Sequence, residues 1–339
     1  MPDPVLAKDL VKVYQGKVHA VNGVDIDVTE GELYGFLGPN GAGKTTTVQM
    51  LTGNLRITSG SATVAGLDVT KFPLKVKERI GLVFQEGTAD PDLTGRENLE
   101  LAAALFRVPI RETKGTINGL LERLQIADAA ERLVKTYSGG MRRRLELAVG
   151  IIHSPSVLFL DEPTLGLDPQ GRAGFWKYVL QLRHDHKMTV FVTTHYLDEA
   201  DEMCDRISII DHGKIVASGT PSQLKDKLGG DIVTVRPVNK TGPEVEAILR
   251  ALPAVSSVSE SNGSYRVKVP KGEELIPHLV DACTRAGIAL AGVSLKRPSL
   301  DEVFLEFTGR EFREDEGMNA TDRAVRIGQV QQAFGRARR

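Results

Sequence analysis

With 339 residues, 41% of them hydrophobic, the chain is long enough for two domains, or one large domain with an appendage, around a sizeable buried core. Forty-three basic residues stand against forty-four acidic ones, a formal net charge of −1, which argues against bulk nucleic-acid binding through a basic surface. The two cysteines, Cys204 and Cys283, lie far apart and in no metal-ligand pattern, so they read as free thiols in a reducing cytosol.

The opening stretch MPDPVLAKDLVKVY has no basic leader followed by an apolar run, so secretion is not expected. From about Val5 to Leu228, short β-branched or apolar runs alternate with helical patterns, the rhythm of an α/β domain with a largely parallel sheet. ELYGFLG, SVLFLDEP and MTVFVTTH read as buried strands. Between Asp90 and Gly150 the rhythm changes, and LTGRENLELAAALF, INGLLERLQI and MRRRLELAVGIIH carry helical spacing, which predicts a helical subdomain inserted at about residues 88–150. No run of eighteen apolar residues occurs, so the chain is not expected to cross a membrane itself.

Gly229 and Gly230 close a first domain over 1–228. Beyond them DIVTVR reads as a strand, GPEVEAILRAL as a helix, AVSSVSE and SYRVKV as a hairpin around Asn262 and Gly263, GEELIPHLVDACTRAG as a helix and IALAGVSL as a strand. That βαββαβ order predicts a small α+β ferredoxin-like module over 229–309. SLDEVFLEFTG adds a closing helix with Ser299 as its N-cap. From Arg310 to Arg339 the sequence is charged and glycine-bearing, with a weak apolar spacing of Ile327, Val330 and Phe334, and reads as a mobile tail.

GPNGAGKTT, from Gly38 to Thr46, matches GxxxxGK[ST] and sits after the strand LYGFL and before the helix TTVQMLTG. Its glycines let backbone amides turn towards the β- and γ-phosphates of a nucleotide, Lys44 supplies a fixed positive charge, and Thr45 offers a hydroxyl to Mg²⁺. The matching carboxylate belongs at the end of another buried strand, and VLFLDEP supplies Asp161 for the metal. The adjacent Glu162 points the other way and is placed to deprotonate an attacking water. Gln85 follows a strand and precedes the helical insertion, where it could touch the metal or its water. His195 follows TVFVTT and could hydrogen-bond a γ-phosphate. Tyr14, ahead of the first hairpin, could stack on a base.

A second anion-binding helix start, without a lysine, is written in YSGGMRRRLELAVG, where Ser138, Gly139 and Gly140 open the helix. The three arginines that follow, Arg142 to Arg144, spread around a helix and cannot converge on one ligand. They read as a solvated face with stray ion pairs.

Taken in order, Tyr14, GPNGAGKT, Gln85, YSGGM, LFLDEP, the GLD ending at Asp168, and His195 resemble the A-loop, Walker A, Q-loop, signature, Walker B, D-loop and H-loop of the ATP-binding subunit of an ABC transporter. The resemblance covers residues 4 to 225. TYSGGMRRRL, THYLDEADEMCDRISIIDHGKI and LDEVFLEFTG further resemble the daunorubicin/doxorubicin-resistance subgroup of exporters. It implies a P-loop NTPase fold and a subunit that hydrolyses ATP with Mg²⁺ to power export of a drug, lipid or glycolipid.

The resemblance also implies residue roles. Tyr14 would stack on adenine, and Gly38, Pro39, Asn40, Gly41, Ala42, Gly43, Lys44, Thr45 and Thr46 would bind the triphosphate. Thr45, Gln85 and Asp161 would serve the metal or its waters, Glu162 would be the catalytic base, and His195 would contact the γ-phosphate. In a head-to-tail homodimer, Ser138, Gly139 and Gly140 of one chain would close on the nucleotide of the other, and Asp168 would communicate between subunits. A separate membrane permease would be the partner, with the chain peripheral on the cytoplasmic face and no nucleic acid involved. The signature departs from the usual LSGGQ, with Tyr137 and Met141 at its ends. The alternative is a soluble ABC ATPase acting on ribosomes or DNA, but such relatives carry paired ATPase units, coiled coils or zinc hooks that this chain lacks. The C-terminal module reads as a dimerisation or stabilising lid, with binding of a small regulatory ligand as the other reading.

Overall fold

The computed structural model describes residues 3–15, 18–84, 87–228, 230–238, 242–261 and 263–308. Gln85, Asn262 and the tail from Arg310 therefore lie outside the described residues.

The chain opens with an antiparallel hairpin of β1 (Val5–Tyr14) and β2 (Val18–Val28), then runs through β3 (Leu33–Leu37) and α1 (Lys44–Leu51). It returns to the hairpin with β4 (Ser59–Val64) and β5 (Leu67–Asp68), giving an antiparallel sheet ordered β2-β1-β4-β5. The short α2 (Pro73–Lys77) leads to β6 (Ile80–Val83), and the expected helical insertion follows as α3 (Gly95–Leu105), α4 (Ile110–Arg123) and α5 (Gly139–Ile151). Next come β7 (Val157–Asp161), α6 (Pro169–His186), β8 (Thr189–Thr194), α7 (Leu197–Met203), β9 (Arg206–Asp211), β10 (Lys214–Gly219) and α8 (Pro221–Asp226). The main sheet is six-stranded, ordered β10-β9-β3-β8-β7-β6. It is parallel except for β10, which returns antiparallel on β9.

Strands β3, β7 and β8 are buried along their whole length, which is why they read as continuous apolar runs rather than alternating ones. Their side chains nonetheless alternate between two cores. Leu33 and Leu37, Leu158 and Leu160, and Val190 and Val192 enter a core shared with the inserted helices. Tyr34 and Phe36, Phe159, and Phe191 enter a second core under the antiparallel sheet and α1. The main sheet is thus clamped from both sides, and its carboxyl-terminal strand ends are held still.

The last part of the chain comprises β11 (Asp231–Pro237), α9 (Pro243–Arg250), β12 (Ser257–Ser261), β13 (Ser264–Val269), α10 (Gly272–Arg285), β14 (Leu290–Lys296) and α11 (Leu300–Thr308). The four strands pair antiparallel in the order β12-β13-β11-β14 around a separate small core that includes Val233, Tyr265 and Leu279, a split βαβ arrangement. Ser299 caps α11: its Oγ accepts from the Glu302 amide at 3.3 Å while the Glu302 carboxylate accepts from the Ser299 amide at 3.4 Å. This helix does not pack on the small core. Leu300, Val303 and Phe304 are buried in the core of the first domain, against α7, α8 and β10.

Candidate nucleotide site

The segment from Gly38 to Gly43 joins the end of β3 to the start of α1, in the middle of the main sheet. Two of its glycines are dictated by close packing. A Cβ on Gly38 would collide with the Ile210 carbonyl oxygen, and Gly43, at φ 111°, would drive one into the Ala20 carbonyl oxygen. Gly43 caps α1 without any side-chain hydrogen bond, and no acidic residue lies in the first turn. The first amides of α1 therefore keep an uncompensated positive end, as an anion site requires. Lys44 is only 5% exposed. Its Nζ donates to the Gly38 carbonyl at 2.6 Å and lies 3.7 Å from Glu162 Oε1. Burial pushes the ammonium below its ordinary range even though Glu162 and Asp161 pull the other way. A buried cation held over the helix start fits a polyphosphate.

Asp161 ends β7, and Thr193 Oγ1 from the neighbouring β8 donates to its Oδ1 at 2.5 Å. Burial raises the Asp161 carboxyl above its usual range, and the hydrogen bonds from Thr193 and Thr45 only partly offset this. Such a carboxylate, touched by the hydroxyl that follows Lys44, fits a divalent cation. Glu162 takes a left-handed backbone conformation, φ 48°. Its amide donates to the Thr193 carbonyl at 3.0 Å. Its carboxylate lies between the Lys44 ammonium and the His195 imidazole, whose Nδ1 is 3.5 Å from Oε2. Burial alone would raise the Glu162 carboxyl, but His195 and Lys44 more than reverse that and hold it below the usual carboxylate range. Lys44, Thr45, Asp161, Glu162 and His195 are thus brought together from three elements or their ends, α1, β7 and β8.

Tyr14 lies inside the first hairpin rather than ahead of it, as the last residue of β1 opposite Val18. It is 39% exposed, with Lys12 Nζ 5.1 Å from its ring centre. The hairpin it ends also carries Ala20, the residue that seats Gly43. Gly139 and Gly140 start α5, with Ser138 as N-cap accepting from the Met141 amide at 3.3 Å. Asp168 caps α6, its Oδ1 accepting from the Gly171 amide at 2.9 Å, which gives this D-loop residue a structural task within its own chain.

The arginine run departs from the expectation of a solvated face. Arg142 is solvated, its side chain 61% exposed, but Arg143 is buried. Its Nη1 donates to the Phe84 carbonyl and to Glu146 Oε2, both at 2.7 Å, and its Nη2 lies 3.4 Å from the Glu162 carbonyl oxygen. Arg144 reaches the Leu124 and Gln125 carbonyls at 3.2 and 3.3 Å, just past the end of α4. The helical step that keeps the three apart also turns the middle one into the core. The sequence signal was Glu146, three residues on, the right spacing for a partner on the same face.

Residues 21–165 match a family model described as ABC transporter. Residues 219–308 match one described as ATP-binding protein DrrA1-3-like, C-terminal domain. The chain is 42% identical over 314 residues to the daunorubicin resistance ATP-binding protein DrrA3 of Streptomyces coeruleorubidus, covering 92% of this chain and 98% of that one. It is 34% identical to the Nod factor export ATP-binding protein I of Ralstonia nicotianae, covering 92% of this chain and 96% of that one. Among solved structures, CbiO1 from Clostridium perfringens, part of an ABC transporter complex, superposes with a TM-score of 0.61 at 27% identity, over 66% of this chain and 91% of that one. An ATP-binding cassette solved as a dimer with ADP and Pi shares the fold, with a TM-score of 0.59 over 64% of this chain and 98% of that one.

Proposed function

The chain belongs to the ABC transporter ATP-binding proteins of the daunorubicin/doxorubicin-resistance type, hydrolysing ATP to power an exporter, and from that premise we propose which residues carry the chemistry and how the subunit assembles. The observation that carries the reading is the convergence of Lys44, Glu162 and His195 beside the uncapped start of α1.

The amides from Gly38 to Thr46 and the Lys44 ammonium hold the β- and γ-phosphates, and Tyr14 stacks on the base. Glu162, kept ionised by Lys44 and His195, orients a water and takes its proton as the oxygen attacks the γ-phosphorus and the bond to the β-phosphate breaks. Lys44 and His195 face the charge that builds on the γ-phosphoryl oxygens. Thr45, Asp161 and Gln85 would hold Mg²⁺, which when bound neutralises phosphate charge and fixes the geometry of the leaving group.

A second copy completes the site: Ser138, Gly139 and Gly140 of one chain close on the γ-phosphate held by Lys44 of its partner in a head-to-tail pair. Asp168, although it caps α6, follows Leu167, whose Cδ2 lies 3.7 Å from where a Cβ on Gly139 would stand. A separate permease supplies the path across the membrane, with this subunit peripheral on its cytoplasmic face. Among the described residues no helix is long and apolar enough to cross a membrane. The names of the relatives, which speak of daunorubicin resistance and of Nod factor export, support an exported drug, lipid or glycolipid as cargo.

The test is Glu162→Gln in the full chain. It should retain ATP binding and accumulate a nucleotide-bound dimer, while turnover falls by at least about 100-fold. Undiminished turnover would sink the assignment of the base.

A further inference from the structure

Arg143 and Glu146 form a buried ion pair, their side chains 9% and 2% exposed, that the hydrolytic mechanism above does not use. A pair of apolar side chains would fill the same space at no cost in buried charge, so packing gives no reason for it. What the pair touches does. Arg143 Nη1 meets the Phe84 carbonyl at the end of the β6 segment, and its Nη2 reaches the Glu162 carbonyl. Glu146 lies close enough to Gly87 that a Cβ there would collide with its Oε1.

We propose that Arg143, oriented by Glu146, is a positioning residue for Glu162. Glu162 sits in a left-handed conformation that side-chain-bearing residues adopt only when their surroundings hold them there. Its amide is held by Thr193 and its carbonyl faces the guanidinium. The residue is thereby gripped on both sides of its Cα, and the direction of the carboxylate towards Lys44 and His195 follows. A lysine could not replace the arginine, because a single ammonium lacks the planar fork that spans Phe84, Glu146 and Glu162 at once.

The same helix, α5, begins at Ser138, Gly139 and Gly140. In the head-to-tail pair those residues close on the partner's nucleotide, while Arg143, just past the first turn, grips the base of the chain's own site. One rigid helix therefore joins the two composite sites: the seating of its start against one nucleotide bears on the Glu162 that hydrolyses the other. This inference rests on the reading of Glu162 as base.

The experiment compares Glu162→Gln, Arg143→Lys and the double variant Arg143→Met/Glu146→Leu with the wild-type full chain. Steady-state MgATP hydrolysis, thermal melting and equilibrium nucleotide binding are measured for each. The double variant removes both charges together, so no unpaired charge is left buried. It should melt near the wild type and bind nucleotide with unchanged affinity, while kcat falls by about 100-fold at unchanged KM. Arg143→Lys, which keeps the charge but not the fork, should lose about tenfold in kcat, again at constant KM. If either variant folds and keeps the wild-type kcat, or loses activity only through KM, the proposal is overturned. Should the double variant not fold, Arg143→Lys alone decides between these outcomes. Turnover persisting in Glu162→Gln would instead overturn the assignment of the base, so the two failures are told apart.

Discussion

At the start of α1 the glycines answer to the chain itself, whereas at the start of α5 they do not. Gly38 is pressed against the Ile210 carbonyl, and Gly43 combines a φ of 111° with the Ala20 carbonyl as neighbour. At Gly139 the nearest atom to an added Cβ is Leu167 Cδ2 at 3.7 Å, and at Gly140 nothing lies within 4 Å. Both signature glycines have ordinary helical backbone and occupy a helix that Ser138 already caps, where glycine is a poor helix former. Folding explains the first set. The second set lowers helix stability with no return inside the subunit, which points to a surface that has to approach their backbone from outside.

The sharpest test of this contrast is Gly43→Ala. Left-handed strain together with the Ala20 clash should cost on the order of 3 kcal/mol, visible as a lower denaturation midpoint and lost nucleotide binding. A neutral effect would remove the structural half of the comparison. Gly139→Asp tests the other half. Calorimetry should find melting and nucleotide binding by the free chain little changed, since an added Cβ meets nothing closer than Leu167 Cδ2 at 3.7 Å. Hydrolysis and ATP-driven dimerisation should fall by about 100-fold, as a carboxylate is set against the γ-phosphate. Normal turnover would mean that the signature start contacts no nucleotide.

Asp161→Asn probes what a functional carboxylate costs the resting fold. Burial raises the Asp161 carboxyl, so between its unfolded and folded titration ranges the native state binds more protons, and stability falls as pH rises through that window. The amide variant escapes this. Its melting temperature at pH 7 should exceed that of the wild type by up to about 4 °C, and the advantage should vanish in acid, where the unfolded aspartate is protonated too. Glu162 has the opposite sign: its carboxyl is depressed, so its contribution is present above the usual glutamate range and is lost as pH falls through the folded value. The smallest effect is that of Gly140→Ala. Replacing a helical glycine should raise the melting temperature by about 1–2 °C while slowing hydrolysis, and an unchanged rate would show that this backbone is never approached.

The phosphate loop, the two acids at the end of β7 and the histidine after β8 were legible in the sequence because each is fixed by its immediate neighbours. An apolar run too buried to end in solvent without cause precedes each of them. The inserted helices were legible from their spacing alone. Arg143 was not, since periodicity gives the angle between side chains but not which angle faces the core. The left-handed turn at Glu162 was also hidden, because nothing in the residue type asks for it and the contacts that hold it come from Thr193 and α5, far along the chain. The closing helix was predicted with its Ser299 cap, yet its partner was not. An apolar stripe shows that a helix must be covered without showing which core covers it.

That closing helix bears on how the protein is made. Leu300, Val303 and Phe304 belong to the same core as Leu197, Ala200 and Leu224, so the segment that follows His195 has its apolar cover only after nearly all the described chain has left the ribosome. At roughly 5–20 residues per second, the nascent first domain spends several seconds with that patch open. In those seconds a chaperone can meet a surface that the finished subunit no longer offers.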